Sequence, residues 1–503
     1  MLWKGNSTWR RVTTWGTAIA GATALLGAGA TGPSGAAPQR TAPTIIWSSC
    51  AEDATAQCGT LSVPVDWNHP TGPRFELALA RRTATEPAAR VGTLVFGPGG
   101  PGDSGVERVV EGISRFSADL RRRFDIVSFD PRGVGQSSPV RCSTDLLNQR
   151  PAPVLTSQAD FDATVAYNRR LWADCRKQTG PVFDHADTPS MARDLDAIRA
   201  ALGEATLTYH GSSYGTLLGQ EYAEQFPHRV RAMVLESVMD HSLDTRAFLN
   251  TQTAAAQDSF DAFVAWCDRT ESCALHGQDV RAVWADLLDR AGRGEVPDPE
   301  NPSATLSPYA LSGFLAPRAF YEPDYATFAQ TISALSTRTP GKAAPAKAGA
   351  TEEAAPTSSN YLAIFCQDWS LPVRDYREYA ARIRQMARIG TDLPYPQALA
   401  VLESCLGTPP VDSPQHRLRV GTDRPLLLIN ALHDPAAGHN WASNVARQLG
   451  EDGVLLTYEG AGHGSYNAGP CMTGAVDRYL ISLTPPARGS RCPAVDPAPA
   501  DAG

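Results

Sequence analysis

Gly211, Ser212, Ser213, Tyr214 and Gly215 spell Gly-x-Ser-x-Gly. A serine hydroxyl is a weak nucleophile at neutral pH; it needs a base to take its proton and a carboxylate to orient that base. The pattern places Ser213 on a tight strand-to-helix turn, where small residues two before and two after let the turn close and expose the hydroxyl above a sheet edge. A strand-like run at 206–209 and a helix-like run at 216–225 supply the context. Ser213 is the candidate nucleophile.

On an α/β sheet the partners follow in the order acid, then His, each on a loop after a strand. Asp434 follows the apolar run 425–429, and His463 lies in Gly460-Ala461-Gly462-His463-Gly464 after the run 453–458. Of the ten histidines, only His463 combines a glycine-flanked loop, a preceding strand and the required order. Asp423 precedes its strand and so stands at the wrong end, and the spacing of His433 and His439 around Asp434 suits no common metal-ligand motif. Attack on a carbonyl also requires donors for the developing oxyanion. One is the backbone N–H of Tyr214. The other belongs to the loop Gly97-Pro98-Gly99-Gly100-Pro101-Gly102-Asp103-Ser104-Gly105, where the prolines have no N–H and Gly100 is the favoured donor. This loop lacks Gly-Lys-Ser/Thr, which argues against a nucleotide cradle.

The elements that must hold these residues are legible as alternating apolar and helical segments. Strand-like runs occupy 58–64, 75–82, 91–96, 124–129 and 230–235, and Met191, Leu195, Ile198 and Leu202 mark one face of a helix with Thr188-Pro189 as its cap and first residue. The expected fold class is α/β: an α/β-hydrolase fold with a mostly parallel sheet and an inserted helical cap. The expected organisation is a signal peptide at 1–37, a linker or short pro-segment at 38–45, and a first core part at 46–242. A helical cap follows at 243–361, with a low-complexity loop at 338–360, and a C-terminal core part at 362–503 carries the acid and His. The signal-peptide reading rests on Lys4, Arg10 and Arg11, an uncharged Ala/Gly/Leu run at 15–29, and small residues at Ala28-Gly29-Ala30 and Gly35-Ala36-Ala37.

Across 503 residues the composition is ordinary for a globular protein, 42% hydrophobic and 19% charged, with a net charge of −8 that gives no reason to expect nucleic acid or an anionic membrane as partner. No run past the leader is long and apolar enough to span a bilayer, so no stable membrane insertion is expected, and a monomer is compatible with the sequence. All ten cysteines lie beyond residue 49 and agree with export. Sequential pairing is expected: Cys50–Cys58, Cys142–Cys175, Cys267–Cys273, Cys366–Cys405 and Cys471–Cys492. Cys-x-x-Cys and His-Glu-x-x-His are both missing, so neither metal nor cofactor is expected.

The glycine loop, Asp130-Pro131-Arg132-Gly133-Val134-Gly135, Asp194-Leu195-Asp196-Ala197-Ile198-Arg199, the stretch 211–222, and Gly462-His463-Gly464 with Cys471, Tyr479-Leu480 and Cys492 carry a resemblance. Over about residues 45–493 the chain resembles the secreted tripeptidyl aminopeptidases of actinobacteria, α/β hydrolases related to prolyl aminopeptidases. The resemblance implies Ser213, Asp434 and His463 as triad and Gly100 with Tyr214 as oxyanion donors. It departs at Pro435-Ala436-Ala437, where Thr-Pro is usual, and at Asp103, where Gly is commoner. The activity implied is a secreted serine exopeptidase acting on peptides with free N-termini; a carboxylesterase with the same triad and a catalytically silent binding protein are the alternatives. A free α-amine needs a carboxylate partner, and Glu236, ending the strand after the motif helix with Asp240 and Asp244 behind it, is the candidate.

Overall fold

A computed structural model describes residues 44–299, 301, 304–337, 357–358 and 360–495. The expected signal peptide, residues 38–43 of the expected linker, and 338–356 and 359 of the low-complexity stretch lie outside the described residues.

Ten strands form the main sheet: β1 (Ser48–Ser49), β2 (Gln57–Pro64), β3 (Arg74–Arg82), β4 (Gly92–Gly97), β5 (Phe124–Phe129), β6 (Leu207–Ser212), β7 (Val230–Glu236), β8 (Leu426–His433), β9 (Gly453–Ala461) and β10 (Arg491–Cys492). Their spatial order is β1-β2-β3-β5-β4-β6-β7-β8-β9-β10. β1, β2 and β3 pair antiparallel, as does β3 with β5, and all later pairings are parallel. Parallel strands must be covered on both faces, which is why they read as continuous apolar runs. Successive residues of β4 and β8 serve opposite faces: Val95 and Leu428 join one buried cluster, Leu94, Phe96, Leu427 and Ile429 the other. The helices Thr188–Ala201 and Tyr214–Gln225 cover the first face through Leu195, Ile198 and Leu217, and Pro470–Ser482 covers the second through Val476 and Leu480.

The cap of the helix Thr188–Ala201 is Asp187, whose side chain accepts from Ser190 N–H, one residue before the expected Thr188. Thr188 is diverted by Asp368, to which it donates both its N–H (2.8 Å) and its hydroxyl (2.6 Å).

Between β7 and β8 the described residues are mainly helical. Thr245–Arg269, Val280–Gly292, Ala316–Tyr321 and Tyr325–Thr337 enclose a separate core built on Phe260, Phe263, Trp284, Phe320 and Phe328. The helices do not stop at the expected boundary of 361. They continue through Asn360–Asp368, Tyr376–Ile389 and Gln397–Cys405, and Cys366–Cys405 ties the first of these three to the last. The main sheet resumes with β8. All five sequential disulfides are present. Among the described residues no helix is long and apolar enough to cross a membrane.

Two of the sequence motifs meet inside the protein. Arg132 donates to both carboxylate oxygens of Asp194 (2.7 and 2.6 Å) and to the carbonyls of Val65 and Pro64, all out of contact with water. Removing one partner of such a pair leaves a buried, uncompensated charge. Arg132→Met should therefore cost about 3 to 5 kcal/mol of stability in urea unfolding; a variant unfolding at the wild-type midpoint would refute this role.

Candidate active site

The parallel strands deliver their carboxyl ends to one edge. Gly97 of β4 pairs with Gly211 of β6, Ser212 with Glu236 of β7, and Glu236 with Ile429 of β8. Ser213, one residue past β6, sits at φ 54° and ψ −119°, a conformation that costs a non-glycine residue about 1 to 3 kcal/mol. Hydrogen bonds hold it there: Ser213 N–H donates to Glu236 O (2.8 Å), while Ser213 O accepts from the N–H and hydroxyl of Thr216. The flanking glycines are required by space. A Cβ on Gly211 would lie 2.4 Å from Gly215 O, and one on Gly215 would lie 2.3 Å from Gly97 O.

Asp434 follows β8 and is buried. Its Oδ1 accepts from the N–H groups of Ala436 (2.9 Å) and Ala437 (3.0 Å), so the turn is held by backbone donors and survives the departure at 435–437. His463 follows β9, and its Nδ1 lies 2.9 Å from Asp434 Oδ1 and 3.1 Å from Oδ2. With Nδ1–H donating to the Asp434 carboxylate, Nε2 is the ring's proton-accepting atom. Burial disfavours the imidazolium, but the charge and hydrogen bond of Asp434, with Glu236 and Asp103 behind it, outweigh that cost and raise the His463 pKa.

The glycine loop after β4 lies against Ser213: a Cβ on Gly99 would stand 3.1 Å from Ser213 Cβ and 3.7 Å from Ser213 Oγ. Gly100 adopts φ 103°, open to glycine at little cost. Asp130 fixes the far end of the loop, accepting from Ser104 Oγ (2.6 Å) and Val106 N–H, and also from Gln136 N–H after β5. Tyr214, the expected donor beside Ser213, opens the helix Tyr214–Gln225, and its hydroxyl donates to Asp368 Oδ2 (2.5 Å).

Glu236 does not face a substrate, and the expectation of an amine anchor there is corrected. It is 1% exposed. Its Oε2 accepts from Arg115 (2.7 Å) and His210 Nε2 (2.9 Å), and its Oε1 accepts from Ser465 and Tyr466 N–H (both 2.8 Å). Burial alone would raise its pKa; Arg115, His210 and the backbone donor hold it well below the usual carboxylate range. Asp240 is buried against Ser242, Asn444 and Gln448, and Asp244 caps the helix Thr245–Arg269. His433 is taken by Asp258 and His439 by Thr457.

No motif in the sequence points to Tyr321. This helical-region residue accepts the His463 N–H on its carbonyl (2.7 Å), packs its ring 4.6 Å from the imidazole, and donates its hydroxyl to Gln397 Oε1. Arg115 escapes sequence reasoning too, in a loop with no motif around it.

Residues 92–469 match the model of the alpha/beta hydrolase fold family. The chain belongs to the α/β-hydrolase family. It is 33% identical over 464 residues to serine protease Hip1 of Mycobacterium tuberculosis, covering 87% of each chain. It is 31% identical over 488 residues to the tripeptidyl aminopeptidase of Streptomyces lividans, covering 92% of this chain and 89% of that one. Carboxylesterase B of Mycobacterium tuberculosis is 33% identical over 489 residues, covering 90% of each. Within the α/β hydrolases the chain thus falls in the group that holds the tripeptidyl aminopeptidases, and it is a serine hydrolase by family.

With a neutral His463 as the expected base, activity should be full above its raised pKa and lost as pH falls through it. The acidic limb of kcat/KM should have its midpoint above the ordinary histidine value of 6.5. Glu236→Gln removes one of the charges that raise it and should move the limb down. A profile across about pH 5 to 9 that is flat, or unmoved in the variant, contradicts this electrostatic coupling.

Proposed function

We propose that this α/β hydrolase is a secreted serine exopeptidase that releases short peptides, tripeptides foremost, from free N-termini. The observation that carries the reading is the His463–Asp434 pair, just beyond the ends of two neighbouring strands and packed under Tyr321 of the helical region. His463 Nε2 takes the Ser213 proton as Oγ attacks the scissile carbonyl carbon. The N–H groups of Gly100 and Tyr214 receive the oxyanion. As the C–N bond breaks, His463 returns the proton to the leaving amine, and a water activated by the same ring then hydrolyses the acyl-enzyme.

The helical region supports an exopeptidase, because a cap resting on the catalytic histidine restricts how much chain can pass. Five disulfides support export, together with the leader-like composition of 1–37. The Streptomyces relative supports a tripeptidyl specificity. Likeness to a carboxylesterase favours the alternative of the same triad acting on esters.

Ser213→Ala should lower turnover of Ala-Pro-Ala-p-nitroanilide by at least about a thousandfold. N-acetylation of that substrate should lower kcat/KM in the wild type by about a hundredfold or more. Equal turnover of free and acetylated peptide, with rapid hydrolysis of acetyl esters, would establish the esterase instead.

A further inference from the structure

With Glu236 enclosed by its own donors, another carboxylate must meet the substrate's α-ammonium group if the exopeptidase reading holds, and the role of that carboxylate rests on the same reading. Asp103 stands on the glycine loop beside Ser213. It ends the glycine turn that touches Ser213, and its N–H donates to Gly99 O at 3.4 Å, which folds the loop back on itself. A Cβ on Gly100 would lie 3.4 Å from Asp103 Oδ1, and one on Gly99 would lie 3.7 Å from Ser213 Oγ. Two such contacts, on Cα atoms about 3.8 Å apart, hold the Asp103 carboxylate within about 14 Å of the nucleophile. An extended tripeptide spans about 10 Å from its α-amine to its last carbonyl.

Asp103 is also free to take a ligand. Its side chain is 44% exposed, and its ion pair with Arg108, itself 56% exposed, is long at 3.4 Å. Such a pair is weak in water and gives way to a better-placed cation. Outside the turn the carboxylate opens on a cleft of about 590 Å³ shared with Ser104, Glu107, Val134 and Arg141. Toward the catalytic side its charge is felt by both His463 and the Tyr321 hydroxyl, whose pKa burial pushes up to about 12. The carboxylate therefore lies within electrostatic reach of His463 and of Tyr321 in the cap.

We propose that Asp103, where the resembling family commonly has Gly, binds the α-ammonium group of the substrate in this chain, three residues upstream of the scissile carbonyl, and so sharpens its preference for a free N-terminus and a tripeptide. An ammonium on a carboxylate is a charge-assisted hydrogen bond with the directionality to fix that register.

The test is steady-state kinetics of the full chain and of Asp103→Asn and Asp103→Ser on Ala-Pro-Ala-p-nitroanilide and its N-acetyl derivative. Both variants should raise KM for the free peptide about tenfold or more while kcat changes little. The preference for free over acetylated peptide should fall toward one, and Asp103→Glu should recover part of it. A wild-type preference retained in both variants overturns the assignment of Asp103 and leaves the exopeptidase reading standing. A kcat that falls equally on both substrates also overturns it, because the charge would then act on His463 rather than on the amine. So would loss of fluorophosphonate labelling of Ser213 in both variants. A wild type indifferent to acetylation removes the exopeptidase reading itself, and the inference with it.

Discussion

A carboxylate taken out of water is tolerated only where donors surround it, and at Glu236 those donors come from separate parts of the chain. Arg115 arrives from the loop after the glycine turn, His210 from the nucleophile strand, and Ser465 and Tyr466 from the loop that carries His463. The Glu236 carbonyl meanwhile accepts the Ser213 N–H that holds the strained nucleophile turn. One residue at the end of β7 thus ties the serine on one side to the histidine loop on the other. Charge, burial and backbone register act together here: the pairing of Ser212, Glu236 and Ile429 across the sheet brings the three strand ends level, and the carboxylate then fixes the loops that leave them.

Asp434 and His463 show the same economy on a smaller scale. Asp434 is oriented by the backbone of two alanines shortly after it, so its geometry does not depend on which side chains stand there. His463 is clamped by Asp434 through its ring and by Tyr321 through its backbone. The helical region is therefore joined to the loop that carries His463 as well as packed on it. Asp130 performs the corresponding service for the glycine loop, and the Arg132–Asp194 pair anchors the turn that presents Asp130.

Much of this was legible in the residues themselves. Apolar runs ending in glycine-rich loops marked the parallel strands, because a strand covered on both faces must be apolar throughout. Gly211 and Gly215 marked the turn, because any Cβ there would meet backbone. The local signals ended where long-range burial began. Glu236 at the end of a strand reads as a surface carboxylate until Arg115, more than a hundred residues earlier, and Ser465, more than two hundred later, are folded onto it. Thr188 reads as a helix cap until Asp368 takes both its donors, and Tyr321 lies in a run whose apolar neighbours pack the helical core. The helices after residue 361 have a further cause: Asn360–Asp368 and Gln397–Cys405 bury apolar residues in the same cluster as the sheet, so their sequence reads like core.

The proposed activation of Ser213 by His463, itself held by Asp434 and joined through its loop to Glu236, is the claim on which every other role proposed for the site depends. Reaction with a fluorophosphonate probe, followed by mass mapping of the labelled peptide, tests it most directly. A single adduct on Ser213 is expected in the wild type, and its loss in His463→Ala. An adduct on another serine, or undiminished labelling of Ser213 in His463→Ala, would contradict it.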